Sequence, residues 1–317
     1  MALLTTLHPE DEALLARAYA LEAPVFEPLP DRGTVNSNVR IRAGDRTLFL
    51  RVNEGKRVEQ VAAEAALVGY LARHGVPTPE PIHTVSGAPF VLVQGKPATL
   101  FPWLPGSDAD ERHPDAAWQV GTLLAELHLA GAGYPVERLP PNAYDLDALT
   151  DRVERIAATD AYADVVGIAR HELGAARRRS RGETGLVHQD LFPDNVLVDK
   201  AGRFVAVLDF EQACAGPLAY DLAVVLHAWC WRGAAFDAAA VEALVGAYDR
   251  VRPRDAVERA ALSGELGLAA VRFAITRVTD IELQPSIPAE LRARKDYRDY
   301  LRRHAALSEL RALPSLQ

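Results

Sequence analysis

The stretch His188-Gln189-Asp190-Leu191-Phe192-Pro193-Asp194-Asn195 decides the reading of this chain, together with Leu208-Asp209-Phe210 a short hairpin later. Its form is H-x-D-x-x-x-x-N followed by D-F. Apolar residues suited to short strands flank it: Gly185-Leu186-Val187 before, Val196-Leu197-Val198 after, then a turn over residues 199–203 and Phe204-Val205-Ala206-Val207-Leu208. Polar residues therefore gather at strand ends, where a loop can aim them. From such a loop Asp190 can face a hydroxyl while Asn195, five residues on, turns toward a divalent cation. Asp209, leaving the next strand, can bind the same metal from another side. Phosphoryl transfer asks for little else: an aligned hydroxyl, Mg²⁺ on the phosphates and a carboxylate beside the nucleophile. Taken singly, each residue is as readily a turn or cap residue, and Asp194 reads as structural. Taken together they point to catalysis.

Working outward, residues 34–41 and Thr47-Leu48-Phe49-Leu50-Arg51-Val52 read as an antiparallel hairpin around Ala43-Gly44-Asp45-Arg46. Val58, Val61, Ala65, Val68 and Leu71 recur near helical spacing, and Gly75 sits where a helix stops. Pro77, Pro79 and Pro81 force an extended passage, and residues 89–93 and 98–104 read as two further strands around Gln94-Gly95-Lys96-Pro97. Residues 8–12 read as the acidic opening of a helix. Beyond Pro105 the composition turns to Ala, Leu and Arg, with helical patterns over residues 116–130, 144–179 with an interruption, 220–231, 238–251 and 256–283. The expected fold class is α+β, with a first domain over residues 1–104 and a second over residues 105–317.

Composition narrows the function. The chain has 317 residues, 49% hydrophobic and 25% charged, and 35 basic against 43 acidic residues give a net charge of −8. No global positive field is present to hold nucleic acid or an anionic membrane, so any phosphate must be held locally. Two cysteines, Cys214 and Cys230, supply neither a disulfide framework nor a Cys-rich zinc module. No run reaches the roughly 20 apolar residues that a bilayer requires, and residues 1–12 lack the pattern of a signal peptide. The expectation is a cytoplasmic protein, a monomer or homodimer, whose partner is a small molecule with a hydroxyl rather than a nucleic acid or a membrane.

With the catalytic stretch, the hairpin and helix before it, the hinge-like Phe101-Pro102-Trp103-Leu104-Pro105-Gly106 and Tyr220-Asp221-Leu222-Ala223, the chain resembles the protein-kinase-like phosphotransferases that act on small molecules, the aminoglycoside phosphotransferase and choline kinase superfamily. The resemblance covers nearly the whole chain. It implies a bilobal protein-kinase-like fold: a small N-lobe of antiparallel sheet plus one helix that binds ATP, and a larger, mainly helical C-lobe. It also implies that Asp190 is the catalytic base, that Asn195 and Asp209 hold Mg²⁺, that Asp221 braces the catalytic-loop backbone, that His188 is architectural, and that ATP lies near the hinge at Phe101 and Trp103.

Such kinases usually place a lysine on the strand before the helix, paired to a helix glutamate, to meet the α- and β-phosphates. Here that strand presents Arg51, with Glu64 as the expected partner, and the guanidinium fork suits carboxylate and phosphate alike. Lys56, in the strand-to-helix turn, is a weaker substitute. In place of a G-x-G-x-x-G loop stands Gly33-Thr34-Val35-Asn36-Ser37-Asn38, whose amides and the Asn36 side chain are expected near the phosphates.

Within the superfamily, residues 33–38, residues 188–198, Asp221-Leu222-Ala223 with Trp229-Cys230, and the helix carrying Arg272, Phe273, Arg277 and Asp280 are similar to the kinase-like bacterial homoserine kinases, which make O-phosphohomoserine for threonine synthesis. The resemblance implies L-homoserine as acceptor, with Arg277 near its carboxylate. Where that family tends to carry an Asn-Asp pair before Trp-Cys, this chain has His227-Ala228, and Glu211 is the expected replacement charge for the substrate ammonium. An aminoglycoside or choline-like amino alcohol, and a nucleotide-binding pseudokinase, remain the alternatives. The run Arg177-Arg178-Arg179 with Arg181 reads as a solvated face. His128 reads as a packing residue against the catalytic loop, and Cys230 as a buried small hydrophobe.

Overall fold

Helix α1 (Pro9–Ala18) carries Glu10, Asp11 and Glu12 in its first turn, where the helix dipole favours acids. Strand β1 (Val25–Pro28) follows, a strand the sequence did not signal, and then the expected hairpin of β2 (Ser37–Ala43) and β3 (Arg46–Val52). Val39, Ile41, Leu48, Leu50 and Val52 point to one face and are buried with Leu15 of α1. The alternation of side chains puts Phe49 and Arg51 on the other face. That face meets α2 (Val58–Arg73), and a small pocket is lined by Arg51, Glu64, Val68, Thr99 and Phe101. Strands β4 (Val91–Val93) and β5 (Lys96–Pro102) form the second hairpin through a two-residue turn. Gln94 and Gly95 both take positive φ, 51° and 79°, the conformation whose twist matches the flanking strands. Among the described residues these strands make one antiparallel sheet ordered β1-β2-β3-β5-β4.

This is a computed structural model, and it describes residues 5–29 and 36–316. The expected phosphate turn at Gly33, Thr34 and Val35 lies outside the described residues, while Asn36, Ser37 and Asn38 lie within them. The chain separates into two units, Met1–Ser107 with Val205–Glu211, and Asp108–Phe204 with Gln212–Gln317. The first unit thus extends past residue 104 and includes a segment from far down the chain. The Val207 amide donates to the Pro77 carbonyl at 2.7 Å within that unit.

After the two-residue strand β6 (Ser107–Asp108), the second unit is built largely from helices: α3 (Ala116–Gly131), α4 (Leu146–Ala157) and α5 (Ala163–Arg178), the last two separated by a single turn of 3₁₀ helix. Strands β7 (Thr184–Val187) and β8 (Val196–Val198), with β9 (Phe204–Val207), of which all but Phe204 belongs to the first unit, match the expected β interruption. Strand β10 (Cys214–Pro217) was not signalled, because its burden of Gly and Pro hides it; it pairs antiparallel with β7. Then come α6 (Leu218–Cys230), α7 (Ala238–Val251), α8 (Ala256–Arg277), a π-helical turn at Val278–Glu282, and the short helices α9 (Ala289–Arg294), α10 (Arg298–Ala305) and α11 (Leu307–Leu310). Asp145, Asp237 and Asp255 accept from the first-turn amides of α4, α7 and α8, a sound reason for those helices to start there. Helix α3 packs on α7, and α5 and α6 pack on α8. Among the described residues no helix is long and apolar enough to cross a membrane.

Candidate active site

In the second unit the chain leaves β7 and bends sharply, with Gln189 at φ +64°. A non-glycine residue held there needs external support. Asp221 supplies it: its two oxygens accept the backbone amides of His188 and Gln189, each at 2.7 Å. Asp221 is fully buried in the first turn of α6, where the helix dipole favours a carboxylate. Burial pushes its pKa up, but the hydrogen bond and charge of His128 and the neighbouring His188 outweigh burial and hold it below the usual carboxylate range. Because a carboxylate only accepts, His128 Nε2 (3.2 Å away) donates to it, and Nδ1 forms a hydrogen bond with the Tyr248 hydroxyl at 2.8 Å. Tyr248 in turn accepts from Arg252 at 3.1 Å, and Arg252 pairs with Glu258 at 2.8 Å. A buried chain of hydrogen bonds thus runs from α8 to the bend before Asp190. His128 was recognised in the sequence; Tyr248 and Arg252 carry no local signal.

The other side of the bend is fixed by Asn195, whose Nδ2 donates to the Asp190 carbonyl at 2.7 Å and lies 3.5 Å from Asp190 Oδ2. The amide nitrogen is therefore committed, and Oδ1 is the Asn195 atom chemically suited to a cation. Fully buried His188 accepts the Asp190 amide on Nδ1 at 3.3 Å, an architectural role. Asp194 is exposed in the single 3₁₀ turn Pro193–Asn195.

The first unit holds the second cluster. Arg51 on β3 reaches Glu64 of α2 at 3.8 Å, Asp209 at 3.7 Å and Glu211 at 3.3 Å. Burial pulls the Arg51 pKa down, but the three carboxylates outweigh it and raise the pKa, so the guanidinium stays charged. Lys56, the weaker substitute in the sequence, joins the same group: it forms an ion pair with Glu64 and lies 3.5 Å from Glu211. Its five-residue offset from Arg51 conceals this, because the turn after β3 folds it back toward α2. Glu211, expected as a lone charge for an acceptor, is engaged by Arg51, Lys56 and Asn36; burial and the Asp209 carboxylate push its pKa up. Phe49 packs against Phe101 and Trp103, with both ring centroids 6.5 Å away, and Arg40 covers a face of Trp103 at 4.5 Å.

The remaining expectations fare differently. Arg277 donates to the Asp296 carbonyl at 2.8 Å and lies over Tyr300, so its guanidinium is already engaged. Arg272 is buried between the rings of Tyr144 and Phe273 and donates to Gln212. The Arg177–Arg181 run is no simple solvated face: Arg181 makes a bidentate pair with fully buried Glu265, at 2.8 and 2.6 Å, and Arg179 joins it. Cys214 and Cys230 are buried, and burial pushes both thiols up, Cys214 to about 12.

Among the described residues no three or more His, Cys, Asp or Glu side chains are grouped to hold a metal ion by themselves. Mg²⁺ at a phosphate needs only one or two protein oxygens and completes its shell with phosphates and water. The buried Asp209 Oδ1, which accepts no hydrogen bond among the described residues, fits such a ligand, as does Asn195 Oδ1. Asp209 takes φ +64°, a strained turn of the kind found where a side chain must be aimed.

A sequence model of the phosphotransferase enzyme family (APH) matches residues 26–254. The homoserine kinase of Caulobacter sp. (strain K31) is 35% identical over 289 residues, covering 88% of this chain and 89% of that protein. The homoserine kinase of Nitrobacter winogradskyi is 33% identical over 314 residues, covering 96% and 93%. The crystal structure of a spectinomycin phosphotransferase in complex with ADP and spectinomycin superposes with a TM-score of 0.72 over 96% of this chain and 100% of that one, at 14% identity, a likeness of fold. By sequence match over most of its length, and by its kinase-like fold, the chain belongs to the phosphotransferase enzyme family and is a small-molecule kinase.

Proposed function

We propose that the chain transfers the γ-phosphate of ATP to the hydroxyl of L-homoserine, giving O-phosphohomoserine. One observation carries the reading: Asp190 sits on a loop fixed by Asp221 on one side and Asn195 on the other, in a chain that matches homoserine kinases nearly end to end. The Asp190 carboxylate accepts the proton of the acceptor hydroxyl as the oxygen attacks phosphorus. Arg51, held by Glu64, steadies the phosphate tail, and Phe101 and Trp103 offer aromatic surface to the base. Asn195 Oδ1 and Asp209 Oδ1 are the atoms that would hold Mg²⁺, which when bound offsets charge on the phosphates.

The test is ADP formation by the purified chain with ATP and Mg²⁺ across homoserine, choline, aminoglycosides and sugars. Homoserine-dependent turnover, with O-phosphohomoserine identified by mass, is the expected result. Preferential turnover of another alcohol would reassign the acceptor. Nucleotide binding without turnover of any acceptor would make the chain a pseudokinase.

A further inference from the structure

Three donors of three different kinds converge on one oxygen in the first unit. Asn36 Nδ2 lies 2.6 Å, Arg51 Nη1 3.3 Å and Lys56 Nζ 3.5 Å from Oε1 of Glu211. An amide, a guanidinium and an ammonium focused on a single anionic oxygen are a donor set suited to a phosphate oxygen. Glu64 holds both cations from the other side, through Oε1 to Arg51 and Oε2 to Lys56. The two cations therefore remain in place if Glu211 leaves, and Asn36 is tied separately, its Oδ1 accepting the Glu54 amide at 3.3 Å.

Glu211 is an ill-matched occupant. With Glu64 and Asp209 it brings three carboxylates to two cations, in a setting where none of the five side chains is more than about a third exposed. Asp209 lies 3.7 Å from Arg51, so the two late carboxylates share one guanidinium. Hydrogen-bonding capacity is left over as well, because buried Arg51 Nε has no hydrogen-bond partner among the described residues. A polyphosphate chain, with several oxygens in place of one carboxylate, can use donors that Glu211 cannot.

We infer that Asn36, Arg51 and Lys56 form an anion site for the phosphate tail of a nucleotide, and that the Glu211 carboxylate occupies this site until a phosphate displaces it. The inference rests on the proposed kinase activity only for the identity of the displacing ligand. Lys56 becomes a phosphate-binding residue alongside Arg51, and Glu211 an internal competitor. A competitor that fills the site most of the time weakens metal-free phosphate binding in proportion to its occupancy.

The experiment is calorimetric titration of the full chain with inorganic tripolyphosphate in EDTA at low salt, where screening is weakest. Glu211→Gln keeps the side-chain shape and removes the charge, so binding is expected to tighten about tenfold. Adding Lys56→Met or Asn36→Ala to Glu211→Gln should reverse most of that gain. Unchanged or weaker binding by Glu211→Gln, or a gain indifferent to Lys56→Met and Asn36→Ala, overturns the inference. If Glu211→Gln unfolds, as read by circular dichroism, Glu211→Ala is held to the same criteria. Homoserine-dependent turnover by the wild type with no gain in Glu211→Gln would defeat the anion site alone. Gain without turnover on any acceptor would defeat the kinase reading and leave the anion site standing.

Discussion

At the residue scale the proposed chemistry rests on Asp190, whose backbone is held through its carbonyl by Asn195 and through its amide by His188. Asp190→Asn is therefore expected to lower kcat by about 10²- to 10⁴-fold, with the KM for ATP and the melting temperature close to wild type. Near-normal turnover would remove Asp190 from the mechanism. His227 is a different case. It stands where relatives were expected to carry a polar pair, and the structure buries it fully, with Nε2 donating to the Leu266 carbonyl at 2.9 Å. Burial and then the charge of Arg303 pull its pKa from 6.5 down to about 3. Between those values the unfolded chain binds a proton that the folded chain refuses. Stability should thus fall as pH drops below about 6.5, by up to about 1.4 kcal/mol per pH unit from this residue. Urea unfolding at several pH values between 7.5 and 5 reads the slope. His227→Gln, which can keep the bond to Leu266, should remove this share of it. A slope identical in both proteins would mean that His227 titrates normally when folded. The spacing of Asp190, Asn195 and Asp209 is local and can be read in the sequence, whereas Lys56 could be read there only as a weaker substitute, since the turn after β3 and the face of α2 are what bring it to Glu64.

At the element scale, the hairpin pairs, α2, α3, α6 and α7 followed from periodicity and turn residues to within a few positions. The misses have physical causes. Strand β10 is Cys-Ala-Gly-Pro, poor in strand formers, and exists because β7 offers it a partner across the register Cys214 to Val187. The helices after Leu283 are short, and the apolar residues that tie them down, Tyr300, Leu307 and Leu310, are too sparse for a periodic signal. Packing between helices leaves its trace in single glycines instead. A Cβ on Gly121 of α3 would stand 2.2 Å from the Leu244 carbonyl oxygen of α7, and backbone cannot yield as a side-chain tip can. Gly121→Ala should therefore destabilise the fold by about 1–3 kcal/mol in urea titrations, forcing α3 and α7 apart. Helix α3 also carries His128, so the same variant should lose turnover at temperatures well below its melting point. A fully wild-type melt would show that the two helices have more freedom than the 2.2 Å approach allows.

At the scale of the whole molecule, a cut in the sequence near residue 104 is a reasonable expectation, since the composition changes there, but composition does not reveal that a chain returns. Val205–Glu211 belongs to the first unit although nearly a hundred residues of the second separate it from Ser107. Within that segment the Val207 amide bonds the Pro77 carbonyl, Phe210 is buried, and Asp209 and Glu211 are ion partners of Arg51. A fragment spanning residues 1–107 would keep Arg51, Lys56 and Glu64 but lose two of the three carboxylates that neutralise them, along with a backbone partner for Pro77. Removing one side of a partly buried ionic cluster leaves the other side uncompensated, a cost larger than the intact pairs repay. The fragment is thus expected to melt at a lower temperature and less cooperatively than the same residues in the full chain, read by hydrogen exchange at the Ile41 and Leu50 amides. Protection at those amides equal to that in the full chain would mean that the first unit folds without its late segment, and that Asp209 and Glu211 are guests of the unit rather than parts of it.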